Sequence, residues 1–436
     1  MKKILILIAT FLPLTLFSQD YTSYFTGNAT DVQPVPTGGI CLMGGATEND
    51  NAMIWFLQKA NGGDVLVLRA SGSDGYNNYM YSQLGVTVNS VETIVFNNAN
   101  AANEAYIHQK IQQAEAIWFA GGDQWDYISY WRNTTISSLI NDAITNRNIV
   151  IGGTSAGMAI QGGFYFSAQN GTVTSSTALS NPFDNNVTVD SAPFISNAYL
   201  QDVITDTHYD NPDRKGRHLV FLARILVDSG TVAKGIACDE YTAVCINSNG
   251  IANVYGGHPN FDDNAYFIQP NCELSSLLPE NCTPNNPLDW NLGNEAIKVY
   301  AVKGTQSGSN TFDLNDWKTG TGGTWEHWYV GNGVLQQQSG TQPGCSSLSV
   351  PNYEVSDVYK VYPNPSSDQV IIEFTDIETL PESVRIINSL GQVKKEIKVS
   401  DSEKMLMNTR ELSAGVYLIE IRTKKKQTFL HKLIIN

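Results

Sequence analysis

The stretch "IVIGGTSAGMAI", Ile149–Ile160, decides how the chain is read. Ile149, Val150 and Ile151 are branched and apolar, the composition of a buried strand. Gly152 and Gly153 interrupt the run, and Ser155 then stands between Thr154 and the pair Ala156–Gly157 before apolar residues return. Gly153-Thr154-Ser155-Ala156-Gly157 fits G-x-S-x-G, the pattern of a sharp strand-to-helix turn that needs small residues on both sides. Such a turn lifts the serine hydroxyl above the sheet and aims the backbone N–H of Ala156 at the same space. The strand stops in order to display Ser155 at the head of a helix, whose amino end favours developing negative charge.

The flanking sequence repeats one alternation. "GICLMGG", "DVLVLRA", "ETIVFNN", "EAIWFAGG" and "NIVIGG" read as apolar strands, and "NDNAMIWFLQKA", "AANEAYIHQKIQQA" and "ISSLINDAITN" as helices between them. Continuous apolar strands alternating with amphipathic helices indicate an α/β fold, a parallel sheet covered on both faces. Sites in such sheets lie at the carboxyl ends of the strands. Three strands end there in a glycine pair: Gly44–Gly45, Gly121–Gly122 and Gly152–Gly153. After Gly230 the texture turns to strand-like runs that either finish the sheet or add a β subdomain.

The chain has 436 residues, so two or three domains are expected, and its 42% hydrophobic content supports a sizeable core. The net charge of −15 argues against a nucleic-acid partner, because phosphate binding needs a basic face. Residues 1–18 read as a secretory signal peptide, with Lys2 and Lys3 before a short apolar run that ends at Ser18. Six cysteines follow, an even number that suggests disulfides in an oxidising compartment. Cys272 and Cys282 lie close together in a loop-like stretch and form the expected pair. The spacing of Cys238 and Cys245 points them to opposite faces of a strand, against their pairing. No cysteine spacing reads as a zinc site, and neither metal nor cofactor is expected.

From Gly333 the chain is rich in Gln, Gly and Ser, and 333–357 reads as a linker. The expected domain ahead of it spans 19–332. Residues 358–436 then alternate like strands of a small all-β sandwich. Tyr362-Pro363-Asn364-Pro365, Ser389-Leu390-Gly391-Gln392 and Leu412-Ser413-Ala414-Gly415-Val416-Tyr417 resemble the C-terminal sorting domain of the type IX secretion system. That resemblance implies a secreted or cell-surface protein whose tail engages the secretion machinery.

Two further segments bear on Ser155. In "WFAGGDQWDYI" a strand ends at Ala120, Gly121 and Gly122 free the backbone, and Gln124 can reach into a cleft. Backbone N–H groups of Gly122 and Ala156 could then surround one oxygen, as in an oxyanion hole. In "DTHYDNPDRKGRHLVFLARIL" His208 follows a strand-like run and precedes a helix, so it too stands at a strand's carboxyl end. A serine nucleophile needs a base, and histidine is the side chain best poised to be one. Of the other histidines, His431 is in the tail and His108 on a helix before the serine. His218, His258 and His327 have no polar motif around them.

The order Gly-Gly-x-Gln, Gly-Thr-Ser-Ala-Gly, then Asp-x-His followed by Arg-x-x-Arg is similar to that of the cyanophycinase and aspartyl dipeptidase family of serine peptidases. The resemblance covers about Gly38 to Gly257. It implies a flavodoxin-like doubly wound sheet with Ser155 as nucleophile, His208 as base, and Gly122 and Ala156 as the oxyanion hole. It also implies a pocket lined by Gln124, Asp206, Arg214 and Arg217. The chain departs from the family in two ways. "NGTVTSSTALS", Asn170–Ser180, has no carboxylate before Asp184 and Asp190 where the resemblance implies an acid, and Thr207 stands in place of a glutamine. Glu240, in "CDEYTA", is the third candidate for the acid and the one adopted. The expected partner is a peptide or polymer substrate, an arginine-bearing one among the options, and a second copy of the chain is a candidate partner. The alternatives are a non-catalytic surface binding protein on the same scaffold and an α/β-hydrolase esterase.

Overall fold

Strands apolar on both faces need cover on both faces, and Val65–Leu68, Ala116–Phe119 and Val150–Gly153 are buried throughout. The structure is a computed structural model and describes residues 19–191, 194–345, 359–374, 381–388, 393–398, 404–423 and 428–435. The signal peptide expected at 1–18 and the linker residues 346–357 lie outside the described residues.

The chain forms β1 (Tyr21–Gly27), β2 (Gly39–Met43), α1 (Asp50–Lys59), β3 (Asp64–Arg69), α2 (Gly75–Asn78), β4 (Ser90–Phe96), α3 (Ala105–Gln113) and β5 (Ala116–Phe119). There follow α4 (Gln124–Trp131), α5 (Thr135–Arg147), β6 (Val150–Thr154), α6 (Ala156–Ala159), β7 (Tyr165–Phe166), α7 (Ser175–Ser180) and β8 (Val189–Asp190). The remainder of this unit is β9 (Val203–Asp206), α8 (Lys215–Ser229), β10 (Lys234–Cys238), β11 (Ala243–Ile246), β12 (Ile251–His258), β13 (Asn264–Pro270), β14 (Ile297–Lys303), β15 (Asn310–Asp313), β16 (Gly320–Thr321), β17 (Gly323–Gly331) and β18 (Val334–Ser339). Helix ends follow local chemistry. Thr134 caps α5 by accepting from the Ile136 N–H, and Asn148 closes it at φ 52°. The buried Ile136, Ile140 and Ala143 of α5 recur at helical spacing, which lays that face on the core.

The main sheet runs β1-β4-β3-β5-β6-β2-β11-β12-β15-β16. Its centre, β4-β3-β5-β6-β2, is parallel, while β1 and β11 pair antiparallel at its two sides. The order of β4, β3, β5 and β6 is that of a doubly wound flavodoxin-like sheet, with the fifth position filled by the amino-terminal strand β2. β2 therefore lies beside β6, and its carboxyl end adjoins the Ser155 turn. The strand-like runs after Gly230 do both things expected of them. β11, β12, β15 and β16 extend the main sheet, and a second sheet forms in the order β18-β17-β14-β13-β10-β9.

Two expectations are corrected. The linker does not begin at 333, because Val334–Ser339 is the strand β18, paired with β17. Asn332 and Gly333 both have positive φ, 46° and 76°, which is the two-residue turn that Asn-Gly favours between antiparallel strands. The Gln-rich composition after it concealed an ordinary hairpin. The disulfide joins Cys272 to Cys345, not to Cys282, which is a buried free thiol. The chain returns after β18 alongside the loop after β13, where the Gly344 N–H donates to Glu273 and Lys298 Nζ lies 2.8 Å from the same carboxylate.

The chain divides into two compact units, 1–347 and 348–436. The second consists of a three-stranded sheet (Tyr359–Tyr362, Gln369–Phe374, Lys404–Asn408) and a four-stranded one (Pro381–Asn388, Val393–Lys398, Gly415–Thr423, Thr428–Ile435). Val370, Ile372, Val384, Ile386, Ile419 and Leu433 fill its core, at the alternate positions that a half-buried strand turns inward.

Candidate active site

Ser155 sits between β6 and the four-residue helix α6 at φ 51°, ψ −117°, a conformation that side-chain-bearing residues seldom adopt. The glycines around it explain why the pattern is needed. A Cβ on Gly153 would lie 2.6 Å from the Gly157 carbonyl, and one on Gly157 would lie 2.0 Å from the Phe119 oxygen. Gly153 lets the turn close on Gly157, Gly157 lets α6 approach the end of β5, and the two together hold the serine out of line with the strand.

The structure brings Ser155, His208 and Glu240 together. His208 Nε2 is 2.9 Å from Ser155 Oγ, and His208 Nδ1 is 2.6 Å from Glu240 Oε1. An ionised carboxylate only accepts, so Nδ1 carries the proton and Nε2 is left with its lone pair toward the hydroxyl. The His208 and Glu240 side chains are 22% and 17% exposed, shielded yet reachable from solvent. The two other candidate acids are engaged elsewhere. Asp184 Oδ1 accepts from the Asn186 N–H at 3.0 Å within its own turn, and Asp190 pairs with Arg132.

One strand end holds all three segments. Successive carbonyls of Met43, Gly44 and Gly45 accept the N–H groups of Ser155 (3.1 Å), His208 (2.7 Å) and Tyr241 (3.1 Å). The strand-end glycines are forced by what crowds them. A Cβ on Gly44 would lie 2.0 Å from the Asp239 carbonyl, and one on Gly45 would lie 2.3 Å from His208 Nε2. The acid is further held by Asp210, which accepts from the Glu240 N–H at 2.9 Å. His208 and Tyr241 are themselves at positive φ, 47° and 63°. Backbone strain thus gathers at the three segments that carry the site. Sequence reading singled out Gly44–Gly45 as a strand-end pair but assigned the pair no role, and it did not single out Met43 or Asp210.

The loop after β5 borders the serine. A Cβ on Gly121 would lie 3.6 Å from Ser155 Cβ. Tyr127 fixes this loop by donating to the carbonyls of Ala120 (2.9 Å) and Gly121 (3.1 Å). Gly122 is exposed, Ala156 is buried, and Gln124 Nε2 donates to the Phe166 carbonyl at 3.3 Å.

Asp206 and Arg217, expected in the substrate pocket, are instead buried against each other. Arg217 Nε is 2.9 Å from Asp206 Oδ2, Nη2 is 2.5 Å from Oδ1, and both side chains are under 5% exposed. Arg217 also donates to Thr172 Oγ1 and the Val173 carbonyl. Burial alone would raise the Asp206 carboxyl, but the charge and hydrogen bonds of Arg217 outweigh it and hold the group below its ordinary value. Burial lowers His218 beneath this pair to about 4, so its ring is neutral at pH 7. A buried, paired guanidinium offers nothing to a ligand, and Asp206 Oδ1 also accepts the Thr207 N–H at 2.8 Å, which ties the pair to the residue before His208. Arg214 is the accessible one of the two arginines. It is half-buried, it donates to the Thr207 carbonyl at 3.0 Å, and burial followed by repulsion from Arg217 lowers its pKa.

Behind Glu240, the Asp239 carboxyl is pushed up to about 7, chiefly by burial and then against the hydrogen bonds from Asn264. Its Oδ2 accepts from Asn264 Nδ2 at 2.9 Å, and Oδ1 has no partner among the described residues. A carboxyl whose folded value lies above its unfolded value near 3.8 favours the folded state below about pH 4, and that contribution is lost as pH rises to about 7. The expected change is on the order of 4 kcal/mol. Urea unfolding between pH 4 and 8 should show the slope in the native protein and a flatter profile in Asp239→Asn.

Ser155, His208 and Glu240 thus stand in line at the carboxyl ends of the strands of the α/β unit. Residues 69–253 match the model of peptidase family S51, the cyanophycinase and aspartyl dipeptidase family, and 360–436 match the secretion system C-terminal sorting domain. The S51 match lies within the α/β unit, and the sorting tail marks the protein as secreted or displayed at the cell surface. Among solved structures, a peptidase from an acI-B1 Actinobacterium is 14% identical with a TM-score of 0.39, covering 54% of this chain and 91% of that one. A putative peptidase E protein from Listeria monocytogenes EGD-e is 16% identical with a TM-score of 0.32, covering 50% and 98%. Ulvan lyase NLR42 of Nonlabens ulvanivorans is 32% identical over 91 residues, 21% of this chain, which spans 16% of that protein's length.

Proposed function

We propose that the α/β unit is a serine-type peptidase that cleaves peptide or isopeptide bonds at aspartyl residues, with Ser155 as nucleophile, His208 as general base and Glu240 as the carboxylate that fixes the imidazole. The observation that carries this reading is the unbroken line from Ser155 Oγ through both His208 nitrogens to Glu240. Ser155 Oγ attacks the carbonyl carbon as its proton passes to Nε2. The tetrahedral oxyanion is held by the N–H groups of Gly122 and Ala156, each worth about 3 kcal/mol in the transition state. Collapse expels the amine, which takes the proton from His208, and a water activated by the same nitrogen then hydrolyses the acyl-serine. Arg214, the guanidinium left accessible beside the site, takes the aspartyl carboxylate, and Gln124 contacts the substrate from the opposite loop. The chain order serine, histidine, acid speaks against an α/β-hydrolase esterase, in which the acid precedes the histidine.

The test is digestion of α-aspartyl peptides, β-aspartyl peptides, cyanophycin and a panel of esters by the mature protein, alongside labelling with a fluorophosphonate. The expected result is cleavage of an aspartyl substrate and labelling at Ser155. Labelling without aspartyl cleavage overturns the substrate assignment alone, and an unlabelled Ser155 overturns the peptidase.

A further inference from the structure

Cys41 and Cys245 are two fully buried thiols that neither the fold nor the proposed chemistry uses. They lie directly opposite each other on the antiparallel strands β2 and β11. The register fixes what kind of opposition this is. The Gly44 N–H donates to the Thr242 carbonyl at 2.9 Å, and these residues face each other across the same pair of strands, which makes theirs a hydrogen-bonded pair. Such pairs alternate along an antiparallel ladder. Leu42–Val244 is then hydrogen-bonded, and Met43–Ala243 and Cys41–Cys245 are not. Non-hydrogen-bonded partners bring their Cα atoms to about 4.5 Å with side chains on the same face. A disulfide needs a Cα separation of roughly 4.4–6.8 Å. The two sulfurs are already 3.6 Å apart.

We infer that the mature protein carries a second disulfide, between Cys41 and Cys245, that staples the strand supporting the site to the strand behind the acid. The sorting tail sends the chain out of the reducing cytoplasm, and Cys272–Cys345 is already bonded. The bond forms by thiol–disulfide exchange with an oxidising protein disulfide of the export compartment. One cysteine thiolate attacks that disulfide and forms a mixed disulfide, the second cysteine attacks the first cysteine's sulfur and expels the partner's thiolate, and two thiols are oxidised while the partner disulfide is reduced to a dithiol. The exchange takes place during folding, before the pair is enclosed. Afterwards burial, and then the neighbouring Cys41, holds the Cys245 thiol well above its ordinary value, so an unbonded pair would not react further in the folded state. The closed loop contains Ser155, His208 and Glu240, and the rail of Met43, Gly44 and Gly45 begins two residues beyond Cys41. Cys238 is on β10 in the second sheet, where its sulfur contacts the Leu42 carbonyl, and the residue opposite Cys41 is Cys245.

The experiment is peptide mapping of the full-length protein exported by a cell with an intact disulfide pathway, denatured in guanidinium with iodoacetamide and no reductant. The expected result is that Cys41 and Cys245 are recovered in one linked species while Cys238 and Cys282 are alkylated. Recovery of Cys41 and Cys245 both alkylated, or either linked to another cysteine, overturns the inference. As a second measurement, a Cys272→Ser/Cys345→Ser variant unfolded in guanidinium and refolded in dithiothreitol should melt several degrees below the same variant never reduced, and an equal value counts against the staple.

Discussion

With the proposed chemistry, Ser155→Ala should lower kcat on an aspartyl peptide by a factor on the order of 10^6 and leave the melting temperature nearly unchanged. The alanine keeps the backbone turn, because closure depends on the missing Cβ atoms at Gly153 and Gly157 and not on the hydroxyl. What disappears is the atom that attacks, together with fluorophosphonate labelling. Glu240→Gln provides the graded comparison. The glutamine can present its NH2 to His208 Nδ1, which leaves the proton on Nε2, facing the serine as a donor where an acceptor is required. The expected loss is about 10^4 in kcat with little change in KM. Equal rates for Glu240→Gln and the native protein would show that the 2.6 Å contact is structural only. A surface binding protein on this scaffold would show no turnover in the native protein for either variant to lose, so the graded loss of kcat separates that alternative from the peptidase.

How much of this was legible in the sequence depended on how local the cause was. The elbow was legible because Gly153 and Gly157 must face each other across four residues, and that constraint is written in consecutive letters. His208 was legible because strand-then-helix texture put it at a carboxyl end, where α/β sites gather. Glu240 could only be nominated beside Asp184 and Asp190, since proximity to His208 arises from β11 folding back against β2, a pairing between positions some two hundred residues apart. The roles of Asp206 and Arg217 were misread for a related reason. Arg-x-x-Arg on a helix fixes two directions, but which of them faces the core depends on packing, and here Arg217 turns inward onto Asp206 while Arg214 stays at the rim. The disulfide was misassigned because closeness along the chain stood in for closeness in space, and β18, hidden in Gln-rich sequence, brought Cys345 back to Cys272. Backbone carbonyls have no sequence signature at all, which left the rail of Met43, Gly44 and Gly45 invisible except through its glycines.

That rail yields the second large effect. Gly45→Ala should lower kcat by about 10^2 to 10^3, the range expected when a catalytic group is displaced by about an ångström. Gly45 adopts φ +119°, and a Cβ there would lie 2.3 Å from His208 Nε2 and 2.4 Å from Cε1. The residue is held at two points. Glu240 holds Nδ1 at 2.6 Å, and the His208 N–H is tied to the Gly44 carbonyl at 2.7 Å. Relief must come by rotating the imidazole out of line with Ser155 or by moving the Gly45 carbonyl, which would release the Tyr241 N–H and loosen the acid. Either route lengthens the 2.9 Å contact that activates the serine. Strain alone is separable from collision, since Gly85 also has positive φ, +71°, but has nothing within 4 Å of its would-be Cβ. Gly85→Ala therefore carries a backbone penalty of about 1–3 kcal/mol without touching the site, and it should lower the melting temperature with kcat unchanged. The rate of Ser155 labelling by a fluorophosphonate should fall in Gly45→Ala in proportion to kcat, because labelling needs the same deprotonation by His208. Native kcat and labelling rate in Gly45→Ala would mean that the histidine is not held by the strand end, and the rail would then have no part in positioning the base.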